Sequence, residues 1–312
     1  MGHRINRAIE LLEAGQAIYY TGHHTGHVLT EGQGRIDAGT WADYINVGME
    51  HGAFDMAGLA AYLKGLAESG PTRSGHRMPA VIVEAPVNGI DEANVRFNAW
   101  QFRQILARGV HGILLCQAET PGAVRAFVES CRYPHHTIGT DPALPTPLER
   151  MRGAEARASK GLGLGKRGRG SEAEAASVWG VSVAEYFACA EPWPLNPQGE
   201  LLLGVKIESP EGVAHVDEIL AVPGLGFAEI GPGDLGLAFG DVALRLDPYR
   251  PELQEAREKI RAACARNGLA FLEVCSPANI CARIDEGVRV VAGGNEETAR
   301  IGRAHQKRAM PV

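Results

Sequence analysis

The sequence predicts an α/β protein, a (β/α)8 or TIM barrel with an inserted loop after strand four. Three observations predict it. Eight β-rich apolar runs recur along the chain, helical patterns separate most of them, and 312 residues suffice for such a barrel, which takes roughly 250 residues plus insertions. A single domain over residues 1–312 is expected.

The elements follow in order. The N-terminal stretch MGHRINRAIELLEAGQ has the spacing of an amphipathic helix and not of an apolar leader, so nothing marks export and a cytoplasmic location is expected. Apolar runs then lie at Ala17–Thr21, Asp43–Met49, Pro79–Ala85, Gly112–Cys116, Leu201–Glu208, Gly226–Ile230, Leu269–Cys275 and Val288–Ala292. Helical patterns at Met56–Ala67, Asn94–Ala107, Pro121–Cys131 and Pro251–Asn267 intervene, and glycine punctuates their ends, as at Arg108-Gly109 and Asn267-Gly268. Pro134–Gly170, rich in Pro, Gly and basic residues, carries too few apolar side chains for a core of its own and reads as an inserted loop. A helical patch, Ser171–Ala190, and a Pro-rich turn, Glu191–Gly199, follow it.

Composition narrows the function. A net charge of −6 offers no basic field for nucleic acid, and no apolar run approaches the ~18 residues that span a bilayer, so neither partner is expected. Six cysteines are scattered without a C-x-x-C pair, which suits thiols in a reducing cytosol better than a disulfide frame.

Chemistry concentrates between Leu201 and Gly240. The fifth run ends in Lys206-Ile207-Glu208, and a period of two puts Lys206 and Glu208 on the same side of the strand. The sixth breaks into Gly231-Pro232-Gly233-Asp234, where glycines admit a ligand close to the backbone and Asp234 stands at the strand's C-terminal mouth. Two carboxylates at the ends of neighbouring strands form a candidate site for a hard cation; the plainer alternative is a pair of salt bridges on the barrel rim.

These residues carry a family resemblance. KIESPEGV followed by IGPGDLGLAFG, with Glu208 and Asp234 26 positions apart, resembles the HpcH/HpaI aldolases, metal-dependent class II pyruvate aldolases. Gly48-Met49-Glu50-His51 resembles the family's strand-two ending, Arg132-Tyr133-Pro134 its Arg-Tyr-Pro turn, and Arg167-Gly168-Arg169-Gly170-Ser171 the loop that follows. The resemblance implies a divalent ion (Mg2+, Mn2+ or Co2+) on Glu208 and Asp234, a 2-oxo acid and an aldehyde as small-molecule partners, and a homo-oligomer built from dimers, up to a hexamer. It further implies that the N–H groups of Gly233 and Asp234 hold the substrate carboxylate and that His51 moves the proton of the aldol hydroxyl. The C-terminal segment Asn295–Val312, apolar and basic by turns, is expected to pack on a neighbouring subunit.

The chain departs from that family at three positions, one of them Ala107, where the resemblance calls for an aspartate that orients the family histidine. Glu84-Ala85-Pro86 stands where the resemblance calls for an arginine, and Lys206 stands where many relatives have Gln. A charge exchange is expected, with Lys206 supplying the lost cation and Glu84 pairing with it or serving in proton transfer or metal binding. Lys206 as a Schiff-base nucleophile is the alternative to a charged, ion-paired lysine. His51 needs a partner, Glu50 or Asp55. His23, His24 and His27 follow the first run on the functional rim, His23 and His27 with the i, i+4 spacing of a zinc pair, the alternative being a substrate or interface contact. His135 and His136 read as loop surface, and Glu273 faces either the site or a helix. GLGLGKRGRG at 161–170 lacks the spacing and the preceding strand of a phosphate loop and reads as a basic turn. Two other function classes stay open: a metal enzyme that hydrates, decarboxylates or hydrolyses a 2-oxo acid, and a binding protein on the same fold.

Overall fold

In the computed structural model, which describes residues 4–154, 161–244, 248–293 and 295–312, nine strands form one all-parallel sheet. They are β1 (Ile18–His23), β2 (Tyr44–Gly48), β3 (Ala80–Ala85), β4 (Gly112–Leu115), β5 (Pro192–Trp193), β6 (Leu201–Ile207), β7 (Phe227–Ile230), β8 (Ala270–Val274) and β9 (Val288–Ala292). β4 pairs with β6, and β9 returns to β1, so eight strands close into the expected barrel. The ninth, β5, falls in the Pro-rich turn and pairs with Leu201 and Leu202 of β6.

The strand sequences explain the closure. Residues buried on both faces read as continuous apolar runs, with β-branched side chains such as Ile45, Val47, Val81, Val83 and Val205 packing outward under the helices. The alternate parity points into the barrel. Its lower half is apolar, with Ile18, Tyr44, Ile82, Leu202, Phe227, Leu272 and Val290 in one cluster, closed below by Ala8, Ile9 and Leu11 of the helix Arg7–Glu13. Gly204 makes room for this packing, since a Cβ there would lie 2.2 Å from the ring of Phe227. The upper half of the same parity is polar and holds Asn46, Glu84, Lys206 and Glu229. Parity also decides Glu273: it faces outward and forms a buried pair with Arg257 of the helix Pro251–Asn267, 2.5 Å away.

The insertion packs against the lower flank. Its helical patch is two helices, Glu172–Trp179 and Val183–Cys189, split at Gly180, whose φ of 72° ends the first in the left-handed region. The loop-surface expectation holds for His135 but not for His136, which is buried against Glu191 and the Phe187 carbonyl because Glu191 also pairs with buried Arg132. Arg167 of the basic turn lies buried between the rings of Tyr133 and Tyr186. The C-terminal segment also packs on its own chain. Its helix Glu296–His305 and tail are tied to their own barrel, where Arg303 and Arg308 meet buried Asp43, which itself accepts the N–H of Tyr19. No helix among the described residues is long and apolar enough to cross a membrane.

Candidate active site

The polar upper half of the barrel opens into a cavity of about 330 Å3, lined among others by His24, His51, Lys206, Glu208, Glu229 and Asp234. Each comes from the C-terminal end of a strand or the loop beyond it, where (β/α)8 enzymes collect their chemistry. Glu208 follows β6 directly, and Asp234 sits in the first turn of the helix Pro232–Ala238 after β7. Gly231 lets the two strand ends approach, because a Cβ there would lie 2.4 Å from Cβ of Glu208.

Three carboxylates converge. One oxygen each of Glu50, Glu208 and Asp234 lie within 4.8 Å of one another. Gln117, just beyond β4 and held at a φ of 51°, fixes two of them: its backbone N–H donates to Oε1 of Glu208 at 2.8 Å and its side-chain amide to Oδ2 of Asp234 at 2.9 Å. A positive φ in a non-glycine residue is uncommon, and here it turns both donors of one residue toward the acids.

Lys206 occupies the layer beneath. Its ammonium lies 2.9 Å from Oε2 of Glu50, 3.7 Å from Glu84 and 3.9 Å from Glu208. Burial opposes its charge, but the surrounding acids, Glu229, Glu208 and Glu84 among them, raise its pKa well above that of a free lysine. It is the ion-paired cation, not a neutral nucleophile. Glu84 in turn receives Nδ2 of Asn46 at 2.8 Å and faces Nδ1 of His24 at 2.6 Å. Burial alone would lift Glu84, yet the His24 contact and the Lys206 charge leave its pKa below the ordinary carboxylate range, while the Glu84 contact raises that of His24. Two acids go the other way. Burial pushes Glu208 up to about 8 and Glu229 up to about 7, with neighbouring carboxylates adding to both.

The structure therefore gathers Glu84, Lys206, Glu208, Gly233, Asp234 and His51 at one mouth. His51 stands at the exposed rim, its Nε2 3.7 Å from Oε2 of Glu50, so Glu50 and not Asp55 is its neighbour; Asp55 caps the helix Met56–Glu68. It does not gather His23 and His27. His23 is exposed at the end of β1 with outward parity, and His27 bonds Asp37 at 2.9 Å and Tyr62 at 3.1 Å between two outer helices. The histidine that enters the cavity is His24, one residue along. Sequence reasoning missed Asn46, Gln117 and Glu229. The signal for Glu229 was there to read: it is a charge in an apolar strand, on the inward parity, opposite Lys206 in register.

Comparison with known proteins follows the same geometry. The model of the HpcH/HpaI aldolase/citrate lyase family matches residues 85–300. The chain belongs to that family. Within the matched span lie Gln117, Lys206, Glu208, Glu229 and Asp234, whereas His24, His51 and Glu84 precede it. The chain is 30% identical to a hydroxypyruvate/pyruvate aldolase of Delftia acidovorans over 62% of its own length and 57% of that protein. It is 29% identical to one of Pseudomonas aeruginosa over 73% of its length and 65% of that protein. The aligned part thus spans about three fifths of the length of these relatives. A solved HpcH/HpaI aldolase/citrate lyase family protein of Burkholderia cenocepacia superposes with a TM-score of 0.66 at 19% identity, covering 96% of both chains, a likeness of fold.

Proposed function

We propose that the protein, as one domain over residues 1–312, is a metal-dependent carbon–carbon lyase, an aldolase that breaks or forms the bond next to a pyruvate-type enolate. Its substrate is then a 4-hydroxy-2-oxo acid, or in reverse a 2-oxo acid and an aldehyde. The observation that carries the reading is the convergence of Glu50, Glu208 and Asp234 over a lysine-filled acidic floor. The donor set fits a hard divalent cation: it offers oxygen only, it crowds negative charge that one ammonium cannot balance, and Gln117 orients two of its members from behind. Glu208 and Asp234 would hold the ion, with Mg2+, Mn2+ and Co2+ all suited to such oxygens. When bound, the cation supplies Lewis acidity for the negative charge that develops on the keto oxygen.

The chain's own residues do the rest. The N–H groups of Gly233 and Asp234, in the first turn of their helix, are free of intrahelical partners and suit the substrate carboxylate. His51, exposed at the rim, takes the proton of the 4-hydroxyl on the ring nitrogen not turned to Glu50 as the C3–C4 bond breaks, and the aldehyde leaves past it. The electron pair stays on C3, and a proton returned there gives the 2-oxo acid. Glu50 orients His51 from one side and is held by Lys206 from the other. Lys206 and Glu84 keep the floor ordered and ionised below the reacting carbons.

Two coarser expectations attach to this reading. Six unpaired cysteines suit a reducing compartment such as the cytoplasm. The exposed rings of Phe97 and Trp100, the latter against Phe54 beside the mouth, suit a homo-oligomer. The test of function is pyruvate release from 4-hydroxy-2-oxo acids, followed with a coupled dehydrogenase, with and without EDTA. Metal-dependent release is expected; none from any such acid would refute the aldolase.

A further inference from the structure

Glu229 is the one inward-facing acid of the floor that makes no described ion pair or hydrogen bond. Its residue is 4% exposed, its Oε2 has no partner among the described residues, and it lines the cavity. The neighbouring strand offers Lys206 directly opposite in register, yet the ammonium turns away to Glu50. On the other side the register partner is Leu272, and Phe227 lies two residues below on the same parity. A carboxyl left this way is unfavourable by itself, and a hydrocarbon side chain would suit the packing better. Its polar atoms are met only when something polar enters the cavity.

We propose that Glu229 contacts the substrate and sets its specificity: its carboxyl pairs with a hydroxyl that the substrate carries to the barrel floor. This rests on the aldolase reading. A hydroxyl fits better than a cation, because Lys206 already supplies an ammonium one strand away and His24 a second basic group beside Glu84. Burial holds Glu229 up to about 7, so near neutrality it is present in part as the acid, which donates and accepts as a hydroxyl does. The hydroxyl belongs either to C3 of the 2-oxo acid or to the aldehyde. A site built to pair with a hydroxyl discriminates against the analogue that lacks it, because the buried partner is then left unmet.

The experiment has two arms, each run with the wild type, Glu229→Gln and Glu229→Leu. Hydroxypyruvate is compared with pyruvate at a fixed aldehyde, and glycolaldehyde with acetaldehyde at a fixed 2-oxo acid. The ratio of kcat/KM for the hydroxylated over the plain compound should fall about tenfold in Glu229→Leu in one arm, which identifies the half that carries the hydroxyl. Glu229→Gln, which can still donate and accept, should stay within about threefold of the wild-type ratio. Unchanged ratios in both arms overturn the proposal. Calorimetry with the same four compounds on the Mn2+-loaded proteins reads Glu229 independently of turnover. If the wild type forms no product from any pair, the aldolase reading fails, and the binding ratio of hydroxylated to plain compound still decides for or against Glu229.

Discussion

Lys206 and Glu50 meet at 2.9 Å across the mouth of the barrel, 156 residues apart in the chain. Glu50 is at once an acid of the converging trio and the neighbour of His51, so the lysine that holds it ties the floor of the site to its rim. The lysine also stands between Glu84 and Glu208, at 3.7 and 3.9 Å. Removing it strands several buried carboxylates at once. Lys206→Met should destabilise the metal-free protein by about 3 kcal/mol, the order found for breaking a buried pair. A denaturant titration with an unchanged midpoint would contradict it.

The pairing bears on the expected exchange between Glu84 and Lys206. The two are within reach, but Glu50 is the closer partner and His24 and Asn46 share Glu84, so the coupling is spread over five groups. Lys206→Gln with Glu84→Gln should therefore be non-additive by roughly 0.5–3 kcal/mol, and Lys206→Gln with Glu50→Gln more strongly so. Double-mutant cycles on stability measure both. Simple addition in both would show that the lysine acts on neither acid.

For the cation site, Glu208→Ala and Asp234→Ala should each abolish Mn2+ binding in calorimetry while the melting transition survives, since both residues lie above the packed layers. Gln117→Leu removes only the side-chain bond to Asp234 and should weaken Mn2+ about tenfold, the usual lower bound for losing an orienting partner. Undiminished affinity in either alanine variant would remove the assignment of ligands.

Most of the barrel was legible because strand burial on both faces writes itself as apolar runs, and all eight appear within two residues of their expected bounds. The same period of two placed Lys206 and Glu208 correctly on one side. What failed is what depends on a single residue's turn out of the strand. His23 and His24 are adjacent, and only the chain path beyond β1 decides that the second enters the cavity. Gln117 could not be singled out because its role rests on a positive φ and a backbone N–H, neither of which has a residue signature. The pairing of Arg303 and Arg308 was not legible either, because their acid, Asp43, lies some 260 residues earlier.

Glu208 gives the pH dependence. Burial lifts its pKa from the ordinary carboxylate range to about 8, so the folded, metal-free protein holds a proton there that the unfolded chain has already lost. The folded state binds more protons over that window, and stability must fall as pH rises from about 5 to about 8. Cation binding replaces the proton. Mn2+ affinity should rise up to about tenfold per pH unit below 8, with proton release that buffers of different ionisation enthalpy reveal. A pH-independent affinity would show that Glu208 is not the acid displaced.

Assembly is testable at the aromatic face. Phe97 is 83% exposed and Trp100 40%, both on the helix Glu92–Ala107. Light scattering at micromolar concentration should give a multiple of the 33.3 kDa chain mass, and Phe97→Ser should lower it. A monomer mass for the wild type would rule out the oligomer.

Glu229 supplies a prediction that needs no substrate. If its carboxyl exists for a ligand and not for the fold, the resting protein bears its desolvation without return, and replacing it should help stability. Glu229→Leu puts an apolar side chain of similar size next to Phe227 and Leu272 and removes one acid from a crowded floor. The metal-free variant should gain about 1–3 kcal/mol, the range in which well-packed hydrophobic replacements of buried charges fall. The gain should grow as pH rises from about 5 to about 7 and level off above, because over that window folded wild-type Glu229 holds a proton that the unfolded chain has already lost. A loss of stability that grows in the same direction would mean that ionised Glu229 is paired within the fold, most simply with Lys206, and that its place in the cavity is structural.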